Sequence, residues 1–446
     1  MGKSNFSAQL TLFFIFLWYT TVFSSEIPIL DSFRKEDRIL ILAPHPDDEA
    51  IATSGVIQRA LQVGAKMKVV LFTNGDNNEL AFIVYEKRLT FRKNEFLHMG
   101  EVRKKESLRA MQSLGLSQDD IICLGYPDFG TLQILTRYWG QVRSYRSMFP
   151  RQNKVSYPDA MSPGAPYVGE SILKDLKRII IDFKPTKIFV SHPADHNRDH
   201  QALYLFLRLA LWDTEGQISS PEIFPYLIHM VGWPKPRGFH PEIELLPPQE
   251  LVNSKISWQR LVLTDAELKN KHEAILFYKS QNKCDPPYLL TFARKNENFG
   301  DCPIVKIKFQ ANQEIDWQDI ETNEEGRVSV LAYAHQAGNL LIRLELKKKI
   351  NKVFGVSVYL LGYKKKIDFS LMPKIRMDVD IAGLHVHDKK QTLFMKDIRL
   401  AYKNKDMIFT IPLKSLGNPD YIFSYVRTSS NTLPLDETCW RILELE

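Results

Sequence analysis

The sequence predicts an α/β chain: a Rossmann-like, mostly parallel sheet with helices on both faces, followed by a C-terminal antiparallel β-sandwich. Three observations carry this. Short apolar runs alternate with helix-period segments from Arg38 to Tyr278. Past Asn298, strand-like segments follow one another without helices. The length of 446 residues exceeds the roughly 100 to 200 that one domain usually holds. A boundary is expected between 298 and 305, giving an α/β domain over 36–299 and a β-sandwich over 303–446.

Residues 1–25 read as an export signal. Lys3 supplies the positive end, Leu10 to Phe23 is an apolar run, and the small residues Ser24 and Ser25 follow. The run is shorter than the roughly 17 residues a bilayer span requires, so membrane contact is expected only if this segment stays uncleaved. The expected location is periplasmic, cell-surface or extracellular. Arg38 to Ala43 is the first buried strand, and a helix begins near Glu49 with Ile51, Val56, Ile57, Ala60 and Leu61 on one face. Lys66 to Phe72 makes the second strand, completing one β-α-β unit. A helix over Val102 to Leu114, a strand at Ile121 to Leu124, a helix over Ser171 to Phe183 and a strand at Lys187 to Val190 continue the alternation. Residues 129–168 break it with Gly, Pro, aromatics and arginines, as an insertion that shapes a substrate site does. A helix over Asp199 to Trp212, a strand at Pro225 to His229, a Pro-rich loop from Trp233 to Pro248 and a helix over Asp265 to Tyr278 close this half.

In the second half, Arg327 to Ala334, Leu340 to Leu346 and Val353 to Leu360 have strand character at sandwich spacing. The lysine runs 347–349 and 364–366 read as solvated turns. With 4 cysteines the chain is not held together by a disulfide framework; Cys284 and Cys302 are a candidate bridge in an oxidising compartment, which the sequence leaves open, and Cys123 reads as a buried small hydrophobe. A net charge of +7 is mild for this length and does not imply nucleic acid.

Two polar segments stand at the carboxyl ends of predicted strands, where α/β sheets place ligands. One is Ala43-Pro-His-Pro-Asp-Asp-Glu49 and the other Ser191-His-Pro-Ala-Asp-His-Asn-Arg-Asp-His200. Asp47 or Asp48 would also serve as a helix cap. Parallel neighbours would bring the two clusters together, and imidazole plus carboxylate is a donor set suited to Zn²⁺ or another divalent metal. Three protein ligands with one open position make a catalytic rather than a structural site.

On these segments the chain resembles the PIG-L family of deacetylases, also called LmbE-like, over about residues 36–299. That family hydrolyses N-acetyl groups on glucosamine-containing molecules. Ala43 to Glu49 is similar to its Ala-His-Pro-Asp-Asp-Glu signature with Pro44 inserted, and Asp199-His-Gln-Ala202 to its second motif. The resemblance implies His45, Asp48 and His200 as metal ligands, Asp47 as general base and a substrate role for Arg103 in Arg103-Lys-Lys-Glu106. Thr73-Asn-Gly-Asp76, Leu124-Gly-Tyr-Pro-Asp128 and Lys279-Ser-Gln281 are further family-like stretches. Where many members carry a histidine three residues before the ligand histidine, this chain has Asn197, which leaves the oxyanion donor open among His196, Asn197 and His192, with His229 a further candidate. His196 is the choice made on sequence.

The expected function is metal-dependent removal of an N-acyl group, acetyl by resemblance, from an amino-sugar or N-acetylglucosamine-containing glycan. A glycan-binding protein with an inactive hydrolase half, and a deacylase of a non-sugar amide, are the alternatives. The C-terminal part vaguely resembles carbohydrate-binding modules related to family 9, around Ile411 to Leu413 and Trp440 to Leu445. Trp317, Tyr333, Tyr359 and Trp440 would be glycan platforms or core residues.

Overall fold

The computed structural model describes residues 27–77, 93–140, 143–252, 255–310, 315, 317–322, 327–347, 354–389, 391–393, 397–403, 406–430 and 433–446. The expected export signal at 1–25 lies outside these residues, as do Lys348 and Lys349. Among the described residues no helix is long and apolar enough to cross a membrane.

The α/β half runs β1 (Arg38–Ala43), α1 (Asp48–Gln62), β2 (Lys66–Thr73), α2 (Lys93–Ser113), β3 (Ile121–Tyr126), α3 (Thr131–Arg137), α4 (Gly169–Phe183), β4 (Lys187–Ser191), α5 (Arg198–Asp213) and β5 (Glu222–Tyr226). The five strands form one parallel sheet in the order β3-β2-β1-β4-β5. β1 is central: Ile39 to Ala43 are buried on both faces, which is why it reads as an unbroken apolar run rather than an alternating one. The chain steps outward from β1 through β2 to β3, then returns to the other side of β1 as β4. The crevice beyond the carboxyl ends of β1 and β4 is therefore the topological switch point.

Several elements depart from their predicted bounds. α2 begins at Lys93 rather than near Val102, because Phe96 and Met99 bury against Phe149 in a small separate cluster masked by the charges around them. β5 leaves the ladder at Tyr226, and Leu227 to His229 continue as irregular chain whose backbone Asp195 holds. The predicted helix 265–278 is α6 (Asp265–Ile275), capped by a reciprocal Thr264–Glu267 box, with separate single-turn helices at Lys279–Asn282 and Pro286–Leu290. An antiparallel strand pair, β6 (Ser257–Val262) and β7 (Asn296–Asp301), packs on this side of the sheet.

The C-terminal half is antiparallel-rich. Among the described residues, one sheet runs β10 (Gln318–Thr322), β11 (Val328–Gln336), β12 (Asn339–Leu346), β18 (Asp406–Pro412), β17 (Arg399–Lys403), with β9 (Phe309–Gln310) beside β11. The other runs β16 (Gln391–Leu393), β15 (Gly383–Asp388), β14 (Lys374–Asp380), β13 (Phe354–Tyr363), β19 (Tyr421–Ser430), β21 (Arg441–Leu445), β8 (Val305–Ile307), with β20 (Leu433–Glu437) beside β19. Leu331, Ile342 and Phe409 of the first sheet meet Val358, Met377 and Val426 of the second in one core.

Strand alternation gives β13 and β19 a second buried face. Val356, Val358 and Leu360 enter the sandwich, whereas Leu361, Tyr363, Phe423 and Tyr425 join the core of the α/β half. Trp212 of α5 stacks on Tyr421 at 4.4 Å and meets Phe423 at 5.2 Å and Tyr363 at 4.8 Å. Of the aromatics read as glycan platforms or core residues, Tyr333 is buried with its hydroxyl donating to Ser424 at 2.8 Å. Trp440 is buried between the two halves, stacked on Tyr425 at 4.8 Å, with Tyr359 packed against that cluster. Trp317 lies under the Arg343 guanidinium at 5.3 Å.

Candidate metal centre

The two polar segments meet at the switch point. His45 Nδ1, Asp48 Oδ2 and His200 Nε2 form a triangle with sides of 3.3, 3.1 and 3.3 Å. Donors at roughly 2.0–2.2 Å from a tetrahedral Zn²⁺ are separated by about 3.3–3.5 Å, so the triangle fits one face of such a site with its fourth vertex open. All three residues are buried.

Each imidazole turns its other nitrogen to a carboxylate. His45 Nε2 lies 3.2 Å from Asp128 Oδ1 and 3.3 Å from Asp199 Oδ2, and His200 Nδ1 lies 3.1 Å from Asp195 Oδ2. This second ring fixes ring orientation and holds the proton of each neutral imidazole on its outer nitrogen, so that a bound cation displacing the inner proton would meet a free lone pair. The ring is itself anchored. Asp195 accepts from the backbone N–H of Ile228, His229 and Asn197 at 3.1, 2.9 and 2.8 Å. Asp128 accepts from Asn77 N at 3.0 Å, and Asp199 from Thr131 N at 3.1 Å. Burial opposes charge on His45 and His200, but the carboxylates prevail, holding His45 well above its usual range and His200 at about 9. So concentrated a negative potential in a buried place is suited to a divalent cation.

Asp47, at the N-cap position before α1, has φ 126° and ψ −33°, a conformation rare for a side-chain-bearing residue. Its neighbours hold it there. Its N–H donates to Glu49 Oε2 at 3.1 Å, and Glu49 Oε1 in turn accepts from Tyr278 at 2.6 Å and from Ser107. Arg103 from α2 donates to Asp47 Oδ2 at 3.2 Å, Pro46 O at 3.1 Å and Gly75 O at 2.9 Å. Burial pushes the Asp47 carboxyl up to about 8 against the opposing pull of Arg103. Arg103 is thus a buried clamp on the Asp47 turn as well as a lining residue, not a solvated helix arginine. Glu106, one turn on, accepts from Ser280 N at 2.9 Å and Ser280 Oγ at 2.6 Å, which sets Gln281 at the cavity wall.

A cavity of about 210 Å³ opens on this group, lined by His45, Asp47, Asp48, Arg103, Asn197 and His229 among others. Asn197 is also the N-cap of α5, its side chain accepting from Asp199 N at 2.9 Å. The expectation for His196 is corrected: its side chain is exposed and lines a neighbouring groove with Glu437 and Thr438, because Asp195 takes the inward position and His196 N is tied to His229 O at 2.9 Å. His192 is buried away from the cavity, stacked on Trp258 at 5.8 Å. His229 does face the cavity, edge-on to His200 at 4.7 Å, with Nδ1 2.9 Å from the Tyr288 hydroxyl. Burial lowers its pKa to about 4, which keeps it neutral. The signal for it in the sequence was only a lone histidine at a strand end.

Fold and site define an α/β chain with a His-Asp-His donor triangle and a carboxylate beside it at the sheet's switch point. Residues 40–211 match the family model described as PIG-L, GlcNAc-PI de-N-acetylase. A 1D-myo-inositol 2-acetamido-2-deoxy-alpha-D-glucopyranoside deacetylase from Kineococcus radiotolerans is 26% identical over 54% of this chain. The chain spans 60% of the length of that relative. Among solved structures, the N,N'-diacetylchitobiose deacetylase from Pyrococcus horikoshii is similar at 17% identity and TM-score 0.37, covering 58% of this chain and 82% of that one. The 4-carboxy-2-hydroxymuconate hydratase from a Pseudomonas is similar at 13% identity and TM-score 0.35, covering 62% of this chain and 100% of that one.

Proposed function

We propose that this chain is an exported zinc-dependent hydrolase that removes an N-acetyl group from an N-acetylglucosamine-containing molecule. The observation that carries the reading is the His45, Asp48, His200 triangle with Asp47 lining the same cavity. The family match and the deacetylase relative supply the substrate class. The apolar run Leu10 to Phe23 supports export.

A divalent ion held by His45, Asp48 and His200 would supply an acidified water and a polarised carbonyl. The protein's own groups do the rest. Asp47, oriented by Arg103 and Glu49, would be ionised by a cation bound beside it, and in that form accepts the proton of the attacking water and returns it to the leaving amine. The oxyanion needs a donor, and His229 is the one we assign. The Tyr288 hydroxyl has two acceptors, His229 Nδ1 at 2.9 Å and Ile228 O at 3.2 Å. With its proton on the nearer, the histidine proton sits on Nε2 and is available to the developing charge. Asn197, Gln281, Phe129 and Tyr288 offer the polar and aromatic surface that a sugar ring uses.

The test is acetate release by the purified full chain from N-acetylglucosamine, its inositol conjugate, chitin fragments and peptidoglycan. Chelator-treated and Asp47→Asn protein serve as controls. Release from at least one, abolished in both controls, is expected; no release from any substrate by zinc-loaded protein overturns the reading.

A further inference from the structure

Cys302 and Cys439 are both buried, and their sulfur atoms lie 3.3 Å apart although 137 residues separate them in sequence. They belong to different halves of the molecule. Cys302 directly follows β7, the last strand of the α/β half, and Cys439 sits between β20 and β21. Both join Ala194, Leu227, Leu251 and Ile256 in a small apolar cluster next to the metal centre's second segment. Arg441 donates to Cys302 Sγ at 3.2 Å, and the Cys439 thiol donates to Trp440 O at 3.2 Å.

The other cysteines are placed elsewhere. Cys284, the candidate partner of Cys302 on sequence, donates to Ser280 O at 2.9 Å and lines the metal cavity. Cys123 lies within β3, opposite Leu71. The fold thus sets Cys302 beside Cys439.

We propose that Cys302 and Cys439 form a disulfide that staples the C-terminal domain to the α/β domain beside the His200 segment. The two sulfurs, 3.3 Å apart, need to close by about 1.3 Å to reach the bond length of about 2.0 Å, a shift within reach of side-chain rotation. Bond formation is thiol–disulfide exchange. The two cysteine thiols lose two electrons and two protons to a disulfide oxidant such as oxidised glutathione, which leaves as two thiols. What the bond would hold is specific. Trp440, adjacent to Cys439, donates its backbone N–H to Pro193 O at 3.3 Å and its indole N–H to Gln201 at 3.2 Å. Arg198 pairs with Glu437 and donates to the Tyr425 hydroxyl at 2.8 Å. The residues flanking Asp195, Asp199 and His200 thus rest on the segment that the bond would fix. This inference does not depend on the deacetylase reading.

The full chain, equilibrated in a glutathione buffer at the poise of a secretory compartment, is denatured in iodoacetamide and mapped by peptide mass spectrometry without reduction. The expected result is a linked Cys302–Cys439 peptide pair, with Cys123 and Cys284 alkylated. Alkylation of both Cys302 and Cys439, or a Cys284–Cys302 link, overturns the proposal. Thermal melting gives a second readout. Reductant is expected to lower the melting temperature by roughly 5–10 °C and to leave Cys439→Ser unmoved; an equal reductant effect on that variant overturns the proposal as well.

Discussion

A methyl group added at Gly75 would lie 1.9 Å from the Arg103 guanidinium, and the backbone there has φ +64°, where side chains are disfavoured. Arg103 is what orients Asp47, so Gly75→Ala is expected to lower acetate release at least tenfold and to cost about 1–3 kcal/mol of stability by denaturant titration. Asp195→Asn is expected to weaken zinc affinity 10- to 100-fold, read by chelator competition, since second-ring carboxylates act on that scale. His229→Gln should lower kcat by roughly 10² or more with bound metal retained; unchanged kcat contradicts its assignment. The residues that meet here were legible to different degrees. His45, Asp47, Asp48 and His200 stand in compact segments at strand ends, where the sheet's topology alone brings them together. The second ring was less so: Asp128, Asp195 and Asp199 were visible only as parts of polar stretches, because which carboxylate faces which imidazole depends on tertiary geometry. His196 was misread as inward-facing for the same reason, since in a tight loop adjacent side chains take opposite sides.

At the scale of elements, α1 is held against β7 and α6 by a buried charge pair. Lys271 Nζ lies 2.8 Å from Glu297 Oε1, both side chains are buried, and Glu297 also accepts from Gly55 N at 2.9 Å and Val56 N at 3.3 Å. Removing one partner leaves an uncompensated charge inside the protein. Lys271→Met is therefore expected to destabilise by about 3–5 kcal/mol, measured by denaturant unfolding, and the double variant with Glu297→Gln to recover part of that. Neither residue drew notice in the sequence, where a lysine in α6 and a glutamate in a strand look solvated. Parallel strands and their helices were legible because their apolar runs are unbroken or periodic. Ends were not: α2 starts early on a satellite cluster, and α6 stops at Ile275 because Glu106 captures the chain at Ser280.

At the scale of the molecule, the aromatic face formed by Tyr363, Phe423, Tyr425 and Trp440 is continuous with the core of the α/β half. The strand-like segments that became β11, β12 and β13 announced a sandwich, but could not tell that the outer face of β13 and β19 is also covered. Truncation after Asp301 would uncover Trp212 and its neighbours, and is expected to yield protein that binds ANS and aggregates in size-exclusion chromatography. Chelation should lower the melting temperature of the intact chain, and zinc should restore it, because the ion offsets the repulsion among the converging carboxylates. The central claim is that His45, Asp48 and His200 hold one divalent ion beside Asp47. Elemental analysis of the purified chain after zinc loading and desalting tests it most directly. Stoichiometric zinc in the wild type and in Asp47→Asn, with loss in His45→Ala and His200→Ala, is the predicted result; a wild-type chain without zinc, or unchanged zinc in folded His45→Ala and His200→Ala, would contradict it.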